Sequence, residues 1–137
     1  MRKPAEMIIG IGIDISEQER IRASITQFGQ QFVEKLFTAE EINYCERYRD
    51  PTEHYAGKFA VKEAFMKAIG TGRRQQVTFK DIEVLNQSSG APRIILHGNT
   101  KILTDTMGIM QIHVSLSHSA NIAVAVVILE GLPELQV

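Results

Sequence analysis

Two acidic side chains and one lysine have the residue types that chemistry on a phosphate needs. Asp14 ends an alternating apolar segment, and Glu63 precedes Lys67 by four residues in a segment with helical periodicity. Carboxylate oxygens suit Mg²⁺, which keeps several waters and is shared with substrate phosphates, and a lysine neutralises phosphate charge. Each feature alone has a structural explanation: Asp14 fits a helix start, and Glu63 with Lys67 fits a surface ion pair worth about 0.3–0.5 kcal/mol. Together they indicate a site for Mg²⁺ and phosphate.

Two further lysines and a glycine-rich turn extend this hypothesis. Lys58 and Lys62 form a second pair four residues apart, near the opposite edge of the apolar arc of the same helix. The helix should end at Gly70, so that Thr71 is bracketed by Gly70 and Gly72 in a turn. These cations and this turn, beside the two carboxylates, suit Mg²⁺ and a phosphate group.

The segment HVSLSH at residues 113–118 carries further polar side chains. His113, Ser115 and Ser117 share one face of a predicted strand, and His118 ends it. The spacing matches no zinc site, and no Gly-x-Ser-x-Gly elbow supports a serine hydrolase. From the residues alone, His118 fits a structural role at least as well as a catalytic one.

The glycines at residues 10 and 12 invite comparison with a dinucleotide-binding loop. That fingerprint needs a third glycine where Ile15 stands, and the chain carries no Gly-Lys-Ser/Thr phosphate loop. A Rossmann site is therefore excluded. Gly10 and Gly12 permit either close packing of another backbone or close approach of a ligand, and the pattern does not decide between them.

Composition sets the class of protein. The chain has 137 residues, 44% apolar and 23% charged, with a net charge of −1. These values predict one soluble globular domain without a basic field for nonspecific nucleic-acid binding. The single cysteine, Cys45, excludes an intrachain disulfide framework and a multi-cysteine zinc site. We expect no signal peptide, no membrane span and a cytosolic location.

The elements that position these residues follow from local signals. Ser16 with Glu19, and Thr38 with Glu41, match capping boxes, and Asp50 before a proline predicts a third helix start. The predicted helices end at Gly29 and Gly70, and residues 100–107 fit a short helix closed by Gly108. Predicted strands span residues 7–15, 77–85, 92–96, 113–117 and 122–129, with a turn at 86–91.

This order of elements predicts the fold class. Helices dominate the first half and strands the second, which favours an α+β domain with an antiparallel sheet packed against a long central helix. The strand at 122–129 is apolar on both faces and should therefore be central in the sheet. We expect residues 1–6 to form a short arm before a domain that spans 7–137.

Three motifs in order resemble one family. The segments are GIGIDI at 10–15 followed by Arg20, KFAVKEAFMKAIGTG at 58–72, and HVSLSH at 113–118. Together they resemble the holo-acyl-carrier-protein synthases, the small bacterial 4′-phosphopantetheinyl transferases. The resemblance implies transfer of phosphopantetheine from coenzyme A to a serine of apo acyl carrier protein, with release of adenosine 3′,5′-bisphosphate, in support of fatty acid biosynthesis. It also implies a homotrimer with active sites between subunits.

The resemblance assigns roles to the first set of residues. Asp14 and Glu63 match the carboxylates that hold Mg²⁺ against the pyrophosphate of coenzyme A. Lys67 matches a lysine near that pyrophosphate, and His118 matches a histidine near the phosphates. The proton acceptor for the serine hydroxyl stays open among Glu63, a metal-bound water and His118.

The resemblance also assigns binding residues. Lys58, Gly70, Thr71 and Gly72 fall where the family binds the nucleotide end of coenzyme A. Position 58 is often arginine in the family, and lysine keeps the charge but loses the planar fork. Arg20 matches an arginine that contacts the acidic carrier protein.

Two other functions fit the same residues. A Mg²⁺-dependent nucleotide phosphohydrolase would use the same carboxylates and would need no carrier protein. A noncatalytic module would bind an acidic helical partner through the helix of Arg20 and would tolerate loss of Asp14 and Glu63.

Overall fold

The computed structural model describes residues 5–133, so residues 1–4 of the expected arm lie outside the described part of the chain. None of the helices in this range is long and apolar enough to cross a membrane. A 3₁₀ helix spans Thr71–Gln76. The remaining elements are, in chain order, β1 (Met7–Glu17), α1 (Gln18–Phe28), α2 (Gln30–Leu36), α3 (Ala39–Glu46), α4 (Pro51–Ile69), β2 (Ile82–Asn86), β3 (Pro92–Leu96), α5 (Gly98–Thr106), β4 (Ile109–Ser119) and β5 (Ile122–Gly131).

Two antiparallel sheets are present in the described residues. One has the strand order β1–β5–β4, and the other is the hairpin of β2 and β3. β5 is central, which confirms the prediction from its two apolar faces. The long helix α4 packs against the three-stranded sheet. The α+β class with an antiparallel sheet on a long central helix is therefore confirmed.

Gly10 and Gly12 are the positions where β1 contacts α4. A methyl carbon built on Gly10 would lie 1.9 Å from the carbonyl oxygen of Ala68, and one built on Gly12 would lie 1.9 Å from that of Ala64. There is no space for a side chain at either position, so both glycines allow close approach of the helix backbone. The structure thus decides between the two explanations of these glycines in favour of backbone packing.

Three sequence predictions are wrong at element boundaries. The strand predicted at 113–117 is longer and spans Ile109–Ser119. Ser16 does not cap α1, because β1 continues through Ser16, which pairs with Ala123; the residue before the helix is Glu17, without a side-chain cap. The predicted strand at 77–85 begins only at Ile82. A turn precedes it, in which the Ile82 amide donates to the carbonyl of Phe79 at 3.1 Å.

Other boundary predictions are confirmed. Thr38 and Glu41 form the reciprocal capping box of α3. Asp50 caps α4 by accepting from the Thr52 amide at 3.2 Å, with proline in the first turn. Gly70 ends α4 with a φ of 97°, a conformation that glycine adopts without strain.

A buried ion pair joins α3 to α4 and β2. Lys62 and Glu41 have fully buried side chains, and the ammonium lies 2.9 Å from the carboxylate. Lys62 also donates to the carbonyl of Phe79 at 2.7 Å, while Glu41 accepts from the Val84 amide at 2.8 Å. Burial lowers the pKa of Lys62, and the charge of Glu41 opposes this shift. Lys62 is therefore a core residue, so the sequence-based grouping of this lysine with the phosphate site is wrong.

Candidate active site

The first group of predicted site residues meets where β1 crosses α4. Asp14 lies one strand repeat beyond Gly12, and its carboxylate accepts from the ammonium of Lys67 at 2.7 Å. Glu63 is one turn before Lys67 on α4, and its carboxylate accepts from Arg74 at 2.8 Å. We call Asp14, Glu63, Lys67 and Arg74 the carboxylate group. Sequence reasoning predicted the first three members and missed Arg74, whose only signal was its place just after Gly-Thr-Gly.

The carboxylate group has the donors that Mg²⁺ needs. The side chains of Asp14 and Glu63 are only 14% and 15% exposed, and each cation contacts one carboxylate oxygen. Within residues 5–133 no cluster of three or more histidine, cysteine or acidic side chains could hold a metal. Two carboxylates fit an ion that keeps several waters and binds substrate phosphate, as Mg²⁺ does, and do not fit a closed zinc site.

The second group of predicted residues lines a cavity at the β4 edge of the sheet. The cavity has a volume of about 390 Å³, and His118, Lys58, His54, Tyr44 and Asn86 line it among others. None of its described lining residues is acidic. A cavity with this lining favours an anionic ligand. We call it the His118 cavity.

Gly57 makes room for the histidine of this cavity. A methyl carbon built on Gly57 would lie 3.0 Å from the ring carbon Cε1 of His118. A larger residue at position 57 would therefore push the ring away from α4. No motif in the sequence marks this glycine.

Lys58 lies in the wall of the cavity. Its ammonium donates to the carbonyl of Val84 at 2.6 Å and to Asn86 at 2.7 Å, and it lies 4.6 Å from the centre of the Tyr44 ring. Burial lowers the pKa of Lys58. The lysine therefore fixes the β2–β3 hairpin against α4 and forms part of the cavity lining.

His54 is a cavity residue that sequence reasoning missed. Its ring stacks on Tyr48 with centroids 3.7 Å apart. Burial lowers the pKa of His54 more than the carboxylate of Glu53 raises it, and the charges of His118 and Lys58 act in the same direction as burial. The only sequence signal was its place in the first turn of α4, one helical turn before Lys58.

The remaining predicted residues are near the surface. Gly70 ends α4, and Thr71 and Gly72 are exposed in the 3₁₀ helix that carries Arg74. Arg20 is exposed on α1. The glycine turn thus lies at the α4 end that holds the carboxylate group, not at the end that holds Lys58.

The carboxylate group and the His118 cavity lie on opposite edges of the sheet. Asp14 is on β1, His118 is on β4, and β5 pairs with both strands between them. Neighbouring strands lie about 4.8 Å apart, so the two edges are about 10 Å apart. Lys58 and Lys67 are also about 14 Å apart along α4, at 1.5 Å per residue. One copy of the chain does not gather all the predicted residues around one point.

Comparisons with known proteins show the family of the chain. Residues 10–127 match the 4′-phosphopantetheinyl transferase superfamily. The holo-acyl-carrier-protein synthase of Solibacter usitatus is 44% identical over 125 residues, covering 91% of this chain and 100% of that protein. The corresponding protein of Koribacter versatilis is 45% identical and covers 90% and 99%.

Solved structures give the same result. The holo-acyl-carrier-protein synthase of Neisseria meningitidis aligns with a TM-score of 0.83 and 33% identity, covering 90% of this chain and 98% of that one. The Bacillus anthracis enzyme, solved in complex with CoA (3′,5′-ADP), aligns with a TM-score of 0.75 and 41% identity, covering 91% and 98%. The chain therefore belongs to the holo-acyl-carrier-protein synthases of the 4′-phosphopantetheinyl transferase superfamily, enzymes that transfer phosphopantetheine from coenzyme A to acyl carrier protein.

Proposed function

We propose that this chain transfers phosphopantetheine to a serine of apo acyl carrier protein with Mg²⁺ held by Asp14 and Glu63. The observation that carries this proposal is that two largely buried carboxylates lie where β1 crosses α4, Asp14 paired with Lys67 and Glu63 one turn before that lysine, paired with Arg74. When bound there, Mg²⁺ supplies charge neutralisation for the pyrophosphate of coenzyme A.

The protein's task in this reaction is to position groups and balance charge. The serine oxygen of the carrier forms a bond to the β-phosphorus, and the bond from that phosphorus to the bridging oxygen breaks, so adenosine 3′,5′-bisphosphate leaves. Lys67 neutralises charge on the pyrophosphate. Glu63 and His118 are the two side chains proposed to accept the serine proton, and separate pH–rate profiles of their variants would distinguish them.

Coenzyme A and the carrier protein are assigned to different surfaces. The His118 cavity, with Lys58 in its wall and no acidic lining in the described residues, suits the nucleotide end of coenzyme A. The resemblance assigns Gly70, Thr71 and Gly72 to the nucleotide end of coenzyme A. Because they follow α4 directly after the carboxylate group, we propose that they contact the coenzyme where it passes that group. Arg20, exposed on α1, would contact the acidic carrier protein.

We further propose a homotrimer in which each active site joins two chains. The separation of the carboxylate group from the His118 cavity supports this, because neighbouring chains could bring opposite sheet edges together. The outer face of β1 also supports it: Ile11, Ile13 and Ile15 are 59%, 56% and 61% exposed. A row of exposed isoleucines on a sheet is typical of an interface.

A carrier-modification assay tests the reaction. Purified protein with coenzyme A, Mg²⁺ and apo acyl carrier protein should raise the carrier's mass by one phosphopantetheine group, as measured by intact-mass spectrometry. Unchanged carrier mass at every Mg²⁺ concentration would contradict the transferase. Release of phosphate from nucleotides without any carrier would favour the phosphohydrolase, and carrier binding that survives combined Asp14→Ala and Glu63→Ala without any reaction would favour the noncatalytic module.

A mixing experiment tests the shared site. Chains with Glu63→Gln and chains with His118→Ala should each be impaired alone. Co-assembled in equal amounts, they should recover about a quarter of the wild-type rate, because one site in four combines two intact edges in a head-to-tail ring. The control is a chain that carries both substitutions and is assembled alone, which should stay inactive. No recovery in the mixture would show that each site lies within one chain.

We also propose that residues 7–137 form the transferase domain after the arm at 1–6, and that the reaction takes place in the cytosol. The start of β1 at Met7 supports the boundary. The free, buried thiol of Cys45, whose pKa burial raises to about 12, is consistent with a reducing compartment.

A further inference from the structure

Arg74 is a charged residue at the carboxylate group that the mechanism above does not use. Its guanidinium lies 2.8 Å from the Oε2 atom of Glu63, which is 11 residues away in sequence. The side chain of Glu63 is 15% exposed and that of Arg74 is 48% exposed. The carboxylate is therefore largely buried, and the arginine contacts it from the solvent side. Arg74 belongs to the exposed 3₁₀ helix that follows α4.

This ion pair conflicts with a metal ion on the same carboxylate. A guanidinium and a divalent cation in contact with one carboxylate would repel each other strongly at such distances. The pair with Arg74 and the binding of a metal ion to Glu63 therefore oppose each other. Because the guanidinium is 48% exposed, solvent screens this pair, and it is weak enough to be exchanged for a metal ion.

The position of Arg74 indicates where its charge would act after exchange. Lys67 lies one turn beyond Glu63 on α4 and contacts Asp14, so the carboxylate group already has one cation available for phosphate. A displaced Arg74 would remain beside the same group on the short 3₁₀ helix. Guanidinium groups bind phosphate with paired hydrogen bonds, which a lysine cannot do.

We propose that Arg74 exchanges partners during the reaction cycle: it pairs with Glu63 in the metal-free protein and binds a phosphate oxygen of coenzyme A once the metal occupies Glu63. This proposal rests on the proposed function, because it takes Glu63 as a metal ligand. Arg74 is thus a competitor of the metal in the free protein and a substrate-binding residue in the loaded protein.

The first experiment measures binding of the metal alone. Mn²⁺, which accepts the same oxygen ligands as Mg²⁺, is titrated into the intact protein without coenzyme A, and free Mn²⁺ is followed by electron paramagnetic resonance. Arg74→Gln should bind Mn²⁺ about twofold to fivefold more tightly than wild type, the range expected for loss of an exposed ion pair. A purely structural role for Arg74 would not tighten metal binding.

The matched control is Arg73→Gln, one residue earlier in the same 3₁₀ helix. Arg73 is exposed, and no ion pair found within residues 5–133 includes it. This control should bind Mn²⁺ with wild-type affinity. Thermal unfolding of both variants verifies that each remains folded.

The second experiment measures coenzyme A binding by calorimetry at saturating Mg²⁺ without carrier protein. Arg74→Gln should weaken coenzyme A binding about tenfold to a hundredfold, as expected for loss of a charge-assisted hydrogen bond. Arg74→Lys should lose less, and Arg73→Gln should lose little. The proposal requires both tighter Mn²⁺ binding and weaker coenzyme A binding in Arg74→Gln, and the absence of either overturns it.

A third variant separates this proposal from the proposed function. Glu63→Gln should weaken Mn²⁺ binding strongly. If it does not, the metal assignment itself is wrong. If it does, while Arg74→Gln and Arg73→Gln bind Mn²⁺ equally, only the exchange is wrong.

Discussion

At the scale of single residues, the proposed metal site depends on how the charges of Asp14 and Glu63 are balanced. Both carboxylates are largely buried, and in each the cation that stabilises it, Lys67 or Arg74, approaches from a more exposed position. A carboxylate held by packing and paired with an exposed cation can change its partner without moving itself. That property suits a site that must accept and release a metal-bound substrate.

The first prediction concerns the two carboxylates. Asp14→Asn and Glu63→Gln keep the side-chain shape but remove the charge that Mg²⁺ prefers. We expect each to lower the carrier-modification rate at limiting Mg²⁺ by at least the 10–100-fold typical of residues that support metal ligands, with partial recovery as Mg²⁺ is raised.

The control for this prediction is Asp105→Asn, which removes an exposed carboxylate that is also paired with a lysine, Lys101. It should leave the Mg²⁺ dependence unchanged. Wild-type Mg²⁺ dependence in both Asp14→Asn and Glu63→Gln would show that these residues are not the ligands.

Residue types and spacing predicted part of the site and could not predict the rest. Glu63 and Lys67 share a helix face, so their proximity follows from the helical repeat. The contact between Asp14 and Lys67 depends on how β1 crosses α4, which spacing does not specify. Arg74 and His54 were missed because their partners are set by a 3₁₀ helix and by an aromatic stack that no periodic pattern encodes.

At the scale of elements, two glycines fix the distance between β1 and α4. Gly12 lies directly against the carbonyl of Ala64, next to Glu63 in sequence, and Asp14 follows on the same strand face. The close approach of strand and helix therefore also sets the position of one carboxylate relative to the other.

The second prediction tests this contact. Gly12→Ala would place a methyl carbon 1.9 Å from the carbonyl oxygen of Ala64, so β1 must move. We expect a loss of stability of about 1–3 kcal/mol or more and a larger fractional loss of activity than of folded protein. Thermal unfolding and the carrier-modification rate provide the two measurements.

Gly72→Ala is the stability control, because a methyl carbon built there has no atom within 4 Å. Its unfolding temperature should match that of wild type. An equally stable Gly12→Ala would contradict the close packing.

The third prediction concerns the buried pair of Glu41 and Lys62. Glu41→Gln leaves the ammonium of Lys62 buried without its counter-charge and should reduce the free energy of unfolding by about 3–5 kcal/mol. Urea denaturation measures this. The double variant Glu41→Leu with Lys62→Met removes both charges and should be clearly more stable than Glu41→Gln. If the double variant and Glu41→Gln are equally stable, the unpaired charge of Lys62 is not the cause of the loss.

Sequence signals predicted element identity better than element ends. The two-sided apolar pattern of β5 and the capping box at Thr38 are local properties, and both are confirmed. Ser16 has the same local pattern as Thr38, but pairing with Ala123 across the sheet keeps it in β1. The start of β2 likewise depends on the turn at Phe79, whose carbonyl also accepts from Lys62.

At the scale of the whole molecule, the helices within residues 5–133 leave the isoleucines on the outer face of β1 uncovered. α4 packs on the face of the sheet that carries Gly10 and Gly12, and the isoleucines of β1 point away from it. Burial of this face by further copies of the chain is the assembly proposed above.

The fourth prediction tests this assembly. Ile13→Glu places a charge in the centre of the exposed row and should shift the protein from an oligomer to a monomer, as measured by multi-angle light scattering after size exclusion. Transfer activity should fall with it. Ile102→Glu, at a 63% exposed isoleucine on α5, is the control and should keep the wild-type mass. A monomeric wild-type protein would contradict the assembly.

The placement of the carboxylate group and the His118 cavity on opposite edges of the sheet has a consequence for mixtures of intact and damaged copies. In the proposed ring, every copy borders two reaction centres and contributes a different half to each. A copy that lacks both halves would inactivate both centres beside it, so one such copy in a trimer would remove two of the three centres. A damaged copy of an enzyme with self-sufficient subunits would instead subtract only its own share.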